Sequence, residues 1–276
     1  MSQQASIPQD AHPEQRQALS AEHVAARYGE RIVLENLSLT IETGTITALV
    51  GPNGSGKSTL LKALARILTP SAGAVYLEGH AIARMSTREV ARRLAILPQG
   101  PTAPEELTVA ELVEQGRYPH VGPLRLLDEQ DAGAIDKALA QTEMTEHRHR
   151  RLDSLSGGER QRAWIALALA QATPMLLLDE PTTFLDIGHQ VEVLDLIRQL
   201  NREHGMTIVL VLHDLNQAAR YAGRMVVLNE GQIVADGTPA AVLTPELLAD
   251  VFQVRAYVLT HPVDGVPYCL PYGSLP

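Results

Sequence analysis

The run Gly51-Pro52-Asn53-Gly54-Ser55-Gly56-Lys57-Ser58, with Thr59 after it, has the residue types and spacing of a loop that cradles phosphates. Its glycines let successive backbone N–H groups turn inward around an anion, and a helix that follows aims its positive end at the same place. At these positions Lys57 neutralises β and γ phosphates and Ser58 offers a hydroxyl to Mg²⁺. The plain alternative is a glycine turn that merely caps a helix. Its position between a β-prone run and a helical run favours the phosphate reading.

Asp179 and Glu180 form a second constellation at the end of the apolar run Met175-Leu176-Leu177-Leu178. A buried strand would deliver both carboxylates at its C-terminal tip, the edge where doubly wound sheets bind ligands. Successive side chains on an extended segment diverge, so the two acids can take different roles. Asp179 suits a Mg²⁺ ligand acting through water, and Glu180 a general base on the attacking water. The alternative is an acidic loop after a strand. A third constellation is Leu155-Ser156-Gly157-Gly158-Glu159-Arg160-Gln161. Ser156 with Glu159 reads as a capping box. Gly157 and Gly158 would also bare the N–H groups of a helix terminus, a second anion site. With one phosphate loop already present, that site makes sense facing the nucleotide of another molecule.

These groups require a scaffold of alternating strands and helices. Residues 31–34 and 37–41 read as strands, 42–44 as a turn, and 45–50 as a buried parallel strand. Residues 58–68 carry apolar side chains at helical spacing up to Pro70. Residues 101–155 change texture, with helices expected over 107–115 and 129–142. A long alanine-rich helix is expected over 158–172, strands over 175–178 and 207–212 with a helix over 190–204 between them, and a hairpin over 225–236. The alternation predicts an α/β unit with a parallel sheet and helices on its faces.

Composition narrows the classes further. A net charge of −9 gives no broad footprint for nucleic acid, and the basic run at 147–151 reads as a solvated helix end or loop. The single Cys269 excludes an internal disulfide and a multi-cysteine metal site. No apolar run approaches the ~20 residues of a spanning helix, so a pore would have to come from other chains. Residues 1–17 are polar and read as a disordered tail, leaving 18–276 as one nucleotide-binding unit.

Residues 155–161, the phosphate loop, Leu178-Asp179-Glu180-Pro181 and His213 together resemble the motif set of ABC (ATP-binding cassette) transporter ATPases. The resemblance implies a P-loop NTPase core with a parallel sheet, an N-terminal antiparallel β subdomain and an inserted helical subdomain over about 101–157, joined by the signature helix. It implies ATP and Mg²⁺ as ligands, with Tyr28 stacked on adenine, Gln99 sensing Mg²⁺ and the attacking water, and His213 on the γ-phosphate. Leu185-Asp186 matches a loop that crosses a dimer interface, although Thr183-Phe184 stands where Ser-Ala is more usual. The implied partners are a second copy in an ATP-sandwich homodimer, two permease subunits and, indirectly, an extracytoplasmic binding protein. The implied location is the cytoplasmic face of a membrane. Gly116-Arg117-Tyr118-Pro119-His120 is similar to a run in importers of iron chelates, haem and cobalamin, and with Gln99 is expected on or near the surface that meets the permeases. Residues 181–187 and 213–218 look most like ferric-siderophore members. Haem or cobalamin import, export and a soluble ABC ATPase are the alternatives.

Overall fold

The computed structural model describes residues 17–121 and 127–275. Most of the expected tail, residues 1–16, lies outside them, but Gln17 does not belong to it: it opens the first strand. That strand, β1 (Gln17–Tyr28), pairs antiparallel with β2 (Arg31–Glu42), one continuous strand where the sequence suggested two. β3 (Ile46–Val50) leads through the glycine-rich loop to α1 (Lys57–Leu64). The helix stops four residues before Leu68, and Arg66 adopts a left-handed φ of +59° just beyond it. β4 (Ala72–Leu77) and β5 (His80–Ala81) complete an antiparallel sheet of order β2-β1-β4-β5.

α2 (Thr87–Ala91) and β6 (Leu94–Leu97) precede the helical insert, which holds α3 (Val109–Glu114), α4 (Tyr118–Val121) and α5 (Glu129–Gln141). α6 (Gly157–Ala170) returns the chain to β7 (Met175–Asp179). Reciprocal capping boxes start α2, α3, α5 and α6, each satisfying backbone donors that a helix terminus leaves open. α7 (Ile187–His204), β8 (Thr207–Val211), α8 (Leu215–Tyr221) and the hairpin β9 (Arg224–Asn229) and β10 (Gln232–Gly237) follow. The described chain ends in α9 (Pro239–Val242), α10 (Pro245–Phe252) and a second hairpin, β11 (Val254–Thr260) with β12 (Pro267–Ser274). The sequence pattern places none of these, nor β4, β5, α2, β6, α4 and α8.

The central sheet has the order β10-β9-β3-β8-β7-β6 and is parallel except for β10. β3, β7 and β8 are buried at every position, which is why they read as unbroken apolar runs. Leu49, Leu177 and Val209 point to one face, packed on α1 and the antiparallel sheet. Ala48, Leu178 and Leu210 point to the other, whose core continues without a break into Leu112, Leu139 and Trp164 of the insert and signature helix. The insert is therefore held rigidly enough to carry loops toward the sheet's C-terminal edge.

Candidate functional site

The phosphate-type loop joins β3 to α1, as its mechanism requires. Gly51 has φ +145°, and a Cβ there would lie 2.0 Å from the Leu228 carbonyl oxygen, so no other residue fits. Lys57 is buried, and its Nζ donates to the carbonyls of Gly51 at 2.9 Å and Pro52 at 2.8 Å. Burial pulls its ammonium below the usual value, opposed by the attraction of Glu180 and Asp179. A buried Ser55 hydroxyl has no hydrogen-bond partner among the described residues. A cavity of about 310 Å³ opens here, lined by Asn53, Gly54, Gly56, Lys57, Ser58 and Thr59 together with Tyr28, Arg31, Val33, Glu180 and His213. Tyr28, half exposed at the end of β1, borders it as expected of an aromatic platform.

The adjacent carboxylates diverge by more than strand alternation. Asp179 is the last residue of β7, is buried, and accepts a hydrogen bond from Ser58 Oγ at 2.8 Å. Burial raises its pKa, and the Glu180 charge adds to the rise against the pull of Ser58, Lys62 and Lys57. Glu180 turns into the left-handed region at φ +54°, a strained backbone for a side-chain-bearing residue. Its carboxylate is thereby shared: Gln99 Nε2 donates to Oε2 at 2.6 Å, and His213 Nε2 lies 2.6 Å from Oε1. The three groups come from the ends of β6, β7 and β8. Thr183 was read only as a departure from pattern, yet its hydroxyl also donates to Glu180 Oε2, at 3.1 Å. A hydroxyl three residues after the acid was the available signal.

Ser156, Gly157, Gly158 and Glu159 line no part of that cavity. The capping box is real: Ser156 N donates to Glu159 Oε2 at 2.7 Å and Glu159 N to Ser156 Oγ at 3.2 Å. The two glycines differ, however. A Cβ at Gly158 would sit 2.1 Å from His189 on α7, so this glycine exists for packing, whereas one at Gly157 would meet only Leu185, at 3.4 Å. Gly157 is exposed at the helix start, whereas Gly158 is buried against α7. His189 is itself fixed by Asp186, the N-cap of α7, with Nδ1 2.8 Å from Oδ2. The basic run is also more than solvated: Arg150 and His147 lie 3.2 and 3.6 Å from Glu159, bracing the same helix start.

The run 116–120, expected on or near the surface that meets the permeases, divides in the structure. Arg117 is not at a surface. It is buried, donates through Nε to Asp131 Oδ1 at 2.9 Å and through NH1 to the Ala170 carbonyl at 2.7 Å, and so staples α5 to the end of α6. Gly116 permits that approach, since its Cβ would lie 2.2 Å from the Leu167 carbonyl oxygen. Of the motif's side chains, Tyr118 is the one that is well exposed.

What the edge can do is bind a polyphosphate against a lysine and a helix terminus, and hold a carboxylate beside it in a fixed direction. The comparisons agree. The family model described as "ABC transporter" matches residues 34–183. The chain is 50% identical over 258 residues to the iron(3+)-hydroxamate import ATP-binding protein FhuC of Bacillus subtilis, covering 94% of this chain and 96% of that one. It is 48% identical to the ferric enterobactin transport ATP-binding protein FepC of Escherichia coli, covering 92% and 94%. A metal-chelate type ABC transporter solved in an inward-facing conformation superposes with a TM-score of 0.82 at 29% identity, covering 93% of this chain and 98% of that one. With its phosphate loop, paired carboxylates and signature helix in place, this chain belongs to the ABC transporter family, among its ATP-binding and ATP-hydrolysing subunits.

Proposed function

We propose that this chain powers import of a ferric siderophore, hydrolysing ATP in a homodimer docked on two permease subunits at the cytoplasmic face of a membrane. Among the described residues no helix is long and apolar enough to cross a membrane, in keeping with a separate pore. The siderophore reading is supported by the two relatives above, whose names specify ferric hydroxamate and ferric enterobactin.

The observation that carries the ATPase chemistry is the Glu180 carboxylate held between Gln99 and His213. Residues 51–59 grip the phosphates, with Lys57 leaving two backbone carbonyls for the β and γ oxygens, and Tyr28 stacks on the adenine. Ser58 Oγ and Asp179 Oδ1, 2.8 Å apart, are hard oxygen donors of the kind Mg²⁺ prefers. Among the described residues no group of three or more His, Cys, Asp or Glu could hold a metal alone, which fits an ion completed by phosphate oxygens, water and Gln99. Bound there, Mg²⁺ would neutralise charge on the β and γ phosphates. Glu180 takes the proton of the attacking water, and His213 orients that carboxylate and reaches the γ-phosphate. Ser156, Gly157 and Glu159 lie outside the cavity and serve the partner's nucleotide, while Gly158 keeps their helix seated on α7.

The shared site is tested by mixing. A Lys57→Ala chain and a Ser156→Arg chain are each inactive, but together form one composite site free of both defects. Partial ATPase should return on mixing, and no recovery under dimerising conditions would end the shared-site reading. The cargo is tested by uptake of radiolabelled iron in cells lacking the chain. Loss of ferric siderophore uptake with haem uptake intact supports the reading, and the reverse overturns it.

A further inference from the structure

The C-terminal hairpin presents two unlike faces. Ala256, Val258 and Cys269 turn inward and join the main core or pack against it. On the opposite face Tyr257 pairs with Leu270 and Leu259 with Tyr268, and Tyr272 stacks on Tyr257 with ring centroids 4.6 Å apart. These five side chains and Val263 at the tip are all exposed, by 39% to 83%. Six such side chains expose on the order of 600 Å² of surface, at the upper end of what a monomer leaves uncovered without a reason.

The hairpin is not a loose appendage. Asn216 near the start of α8 clasps the Cys269 backbone from both sides, accepting from its N–H at 2.8 Å and donating to its carbonyl at 3.2 Å. Arg220 of the same helix holds Asp264 at the tip at 3.0 Å. Gln217, beside Asn216, donates to Gln190 on α7 at 2.7 Å. Gln190 lies between Ile187 and Val191, two exposed apolar residues, and Phe184 before them is 97% exposed. A line of contacts thus runs from the hairpin to the Asp186 loop, which the proposed shared-site dimer brings against its partner.

We infer that the aromatic face of the β11–β12 hairpin is a second contact between two copies of this chain, set beside the nucleotide sites and closing the dimer away from them. The inference rests on the shared-site reading. Two-fold doubling of the patch gives about 1,200 Å² of buried surface, the lower end of specific interfaces, which suits an auxiliary contact and not a lone dimer. The face also fits itself, because it is largely apolar, with Arg255 exposed at its margin and Asp264 at the tip already paired with Arg220. A bilayer surface would call for several cations on it, and the chain as a whole carries −9.

The test uses the full chain in a Glu180→Gln background, which keeps ATP bound. Dimer dissociation constants with ATP are measured by sedimentation for that parent and for Tyr257→Ser/Leu270→Ser added to it. These residues are exposed, so the fold should survive, and equal thermal melting checks this. The hairpin variant should dimerise at least about tenfold more weakly with monomer ATP affinity unchanged. Leu270→Cys treated with a short bis-maleimide should yield a covalent dimer, the native Cys269 being buried. Equal dissociation constants together with no cross-link overturn the inference. Unchanged dimerisation with lost binding to phosphatidylglycerol vesicles would overturn it too, assigning the face to a membrane. A monomeric parent would instead sink the shared-site reading, and the cross-link alone would then decide the hairpin contact.

Discussion

At the carboxyl edge of the central sheet, Gln99, the pair Glu180 and Thr183, and His213 arrive from three separate segments and meet at one carboxylate. In the helical insert, Gly116 and Arg117 form a motif that looks as specific in sequence, yet both turn inward. The first group has polar atoms converging on Glu180, which with His213 lines a cavity of about 310 Å³; the second has an ion pair with side chains less than a tenth exposed, and a backbone contact. Distinctive residues can therefore mark either chemistry or packing. What separates them is whether the polar groups satisfy one another within the fold or leave capacity for a ligand.

The sharpest way to break this contrast is at Glu180. Glu180→Gln retains the shape and the acceptor oxygen while losing the base. Turnover should fall by about 10²–10⁴-fold. ATP affinity should stay near the parent's, since Lys57, Ser58 and Asp179 are untouched, and the ATP-bound dimer should persist. Single-turnover hydrolysis beside ATP affinity measures both. Normal turnover, or lost ATP binding in a folded chain, would remove Glu180 from the role of base.

The insert should fail in the opposite way. Arg117→Ala leaves Asp131 buried without its cation and is expected to destabilise the chain by about 3 kcal/mol. Gly116→Ala, pressed against the Leu167 carbonyl, should lower stability by about 1–3 kcal/mol. Tyr118→Ala, on the exposed member of the motif, should leave stability within about 0.5 kcal/mol. Urea unfolding of the isolated subunit gives all three values. If Arg117→Ala unfolded like the parent but lost coupling between hydrolysis and uptake, the residue would be a partner contact after all.

This difference also explains what could be read in advance. The phosphate loop, the carboxylate pair and the strand before each were legible because phosphate chemistry fixes residue type, and burial on both faces fixes apolar runs. Thr183 was missed because a loop's hydroxyl has no partner until φ +54° at Glu180 turns the acid toward it. Gly158 was half read: its place at a helix start is visible, but the His189 ring across from it is 31 residues away in sequence. The C-terminal hairpin escaped because Pro267 opens β12 and Pro271 stands inside it, and a proline within a run argues against reading it as a strand.

Asp179 gives the smallest effect and the finest distinction, because here function works against stability. In the nucleotide-free chain a buried carboxylate faces Glu180, and its folded pKa stands above the unfolded value near 3.9. A raised pKa means that the native state holds the proton more tightly than the unfolded state. Stability from that proton is present below the unfolded pKa and is lost as pH rises through the folded one. At neutral pH the ionised Asp179 is therefore a penalty that Mg²⁺ and nucleotide relieve. Asp179→Asn removes the charge while leaving an oxygen for Ser58, so the nucleotide-free variant should be more stable than the parent at pH 7.5, by about 0.5–2 kcal/mol. The advantage should shrink as pH falls through the raised folded pKa and the parent carboxyl takes up its proton. Adding ATP with Mg²⁺ should reverse the order, since only the parent binds the ion well. Thermal melts of both chains at pH 7.5 and at lower pH, with and without nucleotide, supply the comparison. A nucleotide-free Asn variant less stable than the parent at pH 7.5 would show that Asp179 supports the fold, as Asp131 does in the insert, and would erase the distinction between the two regions at that residue.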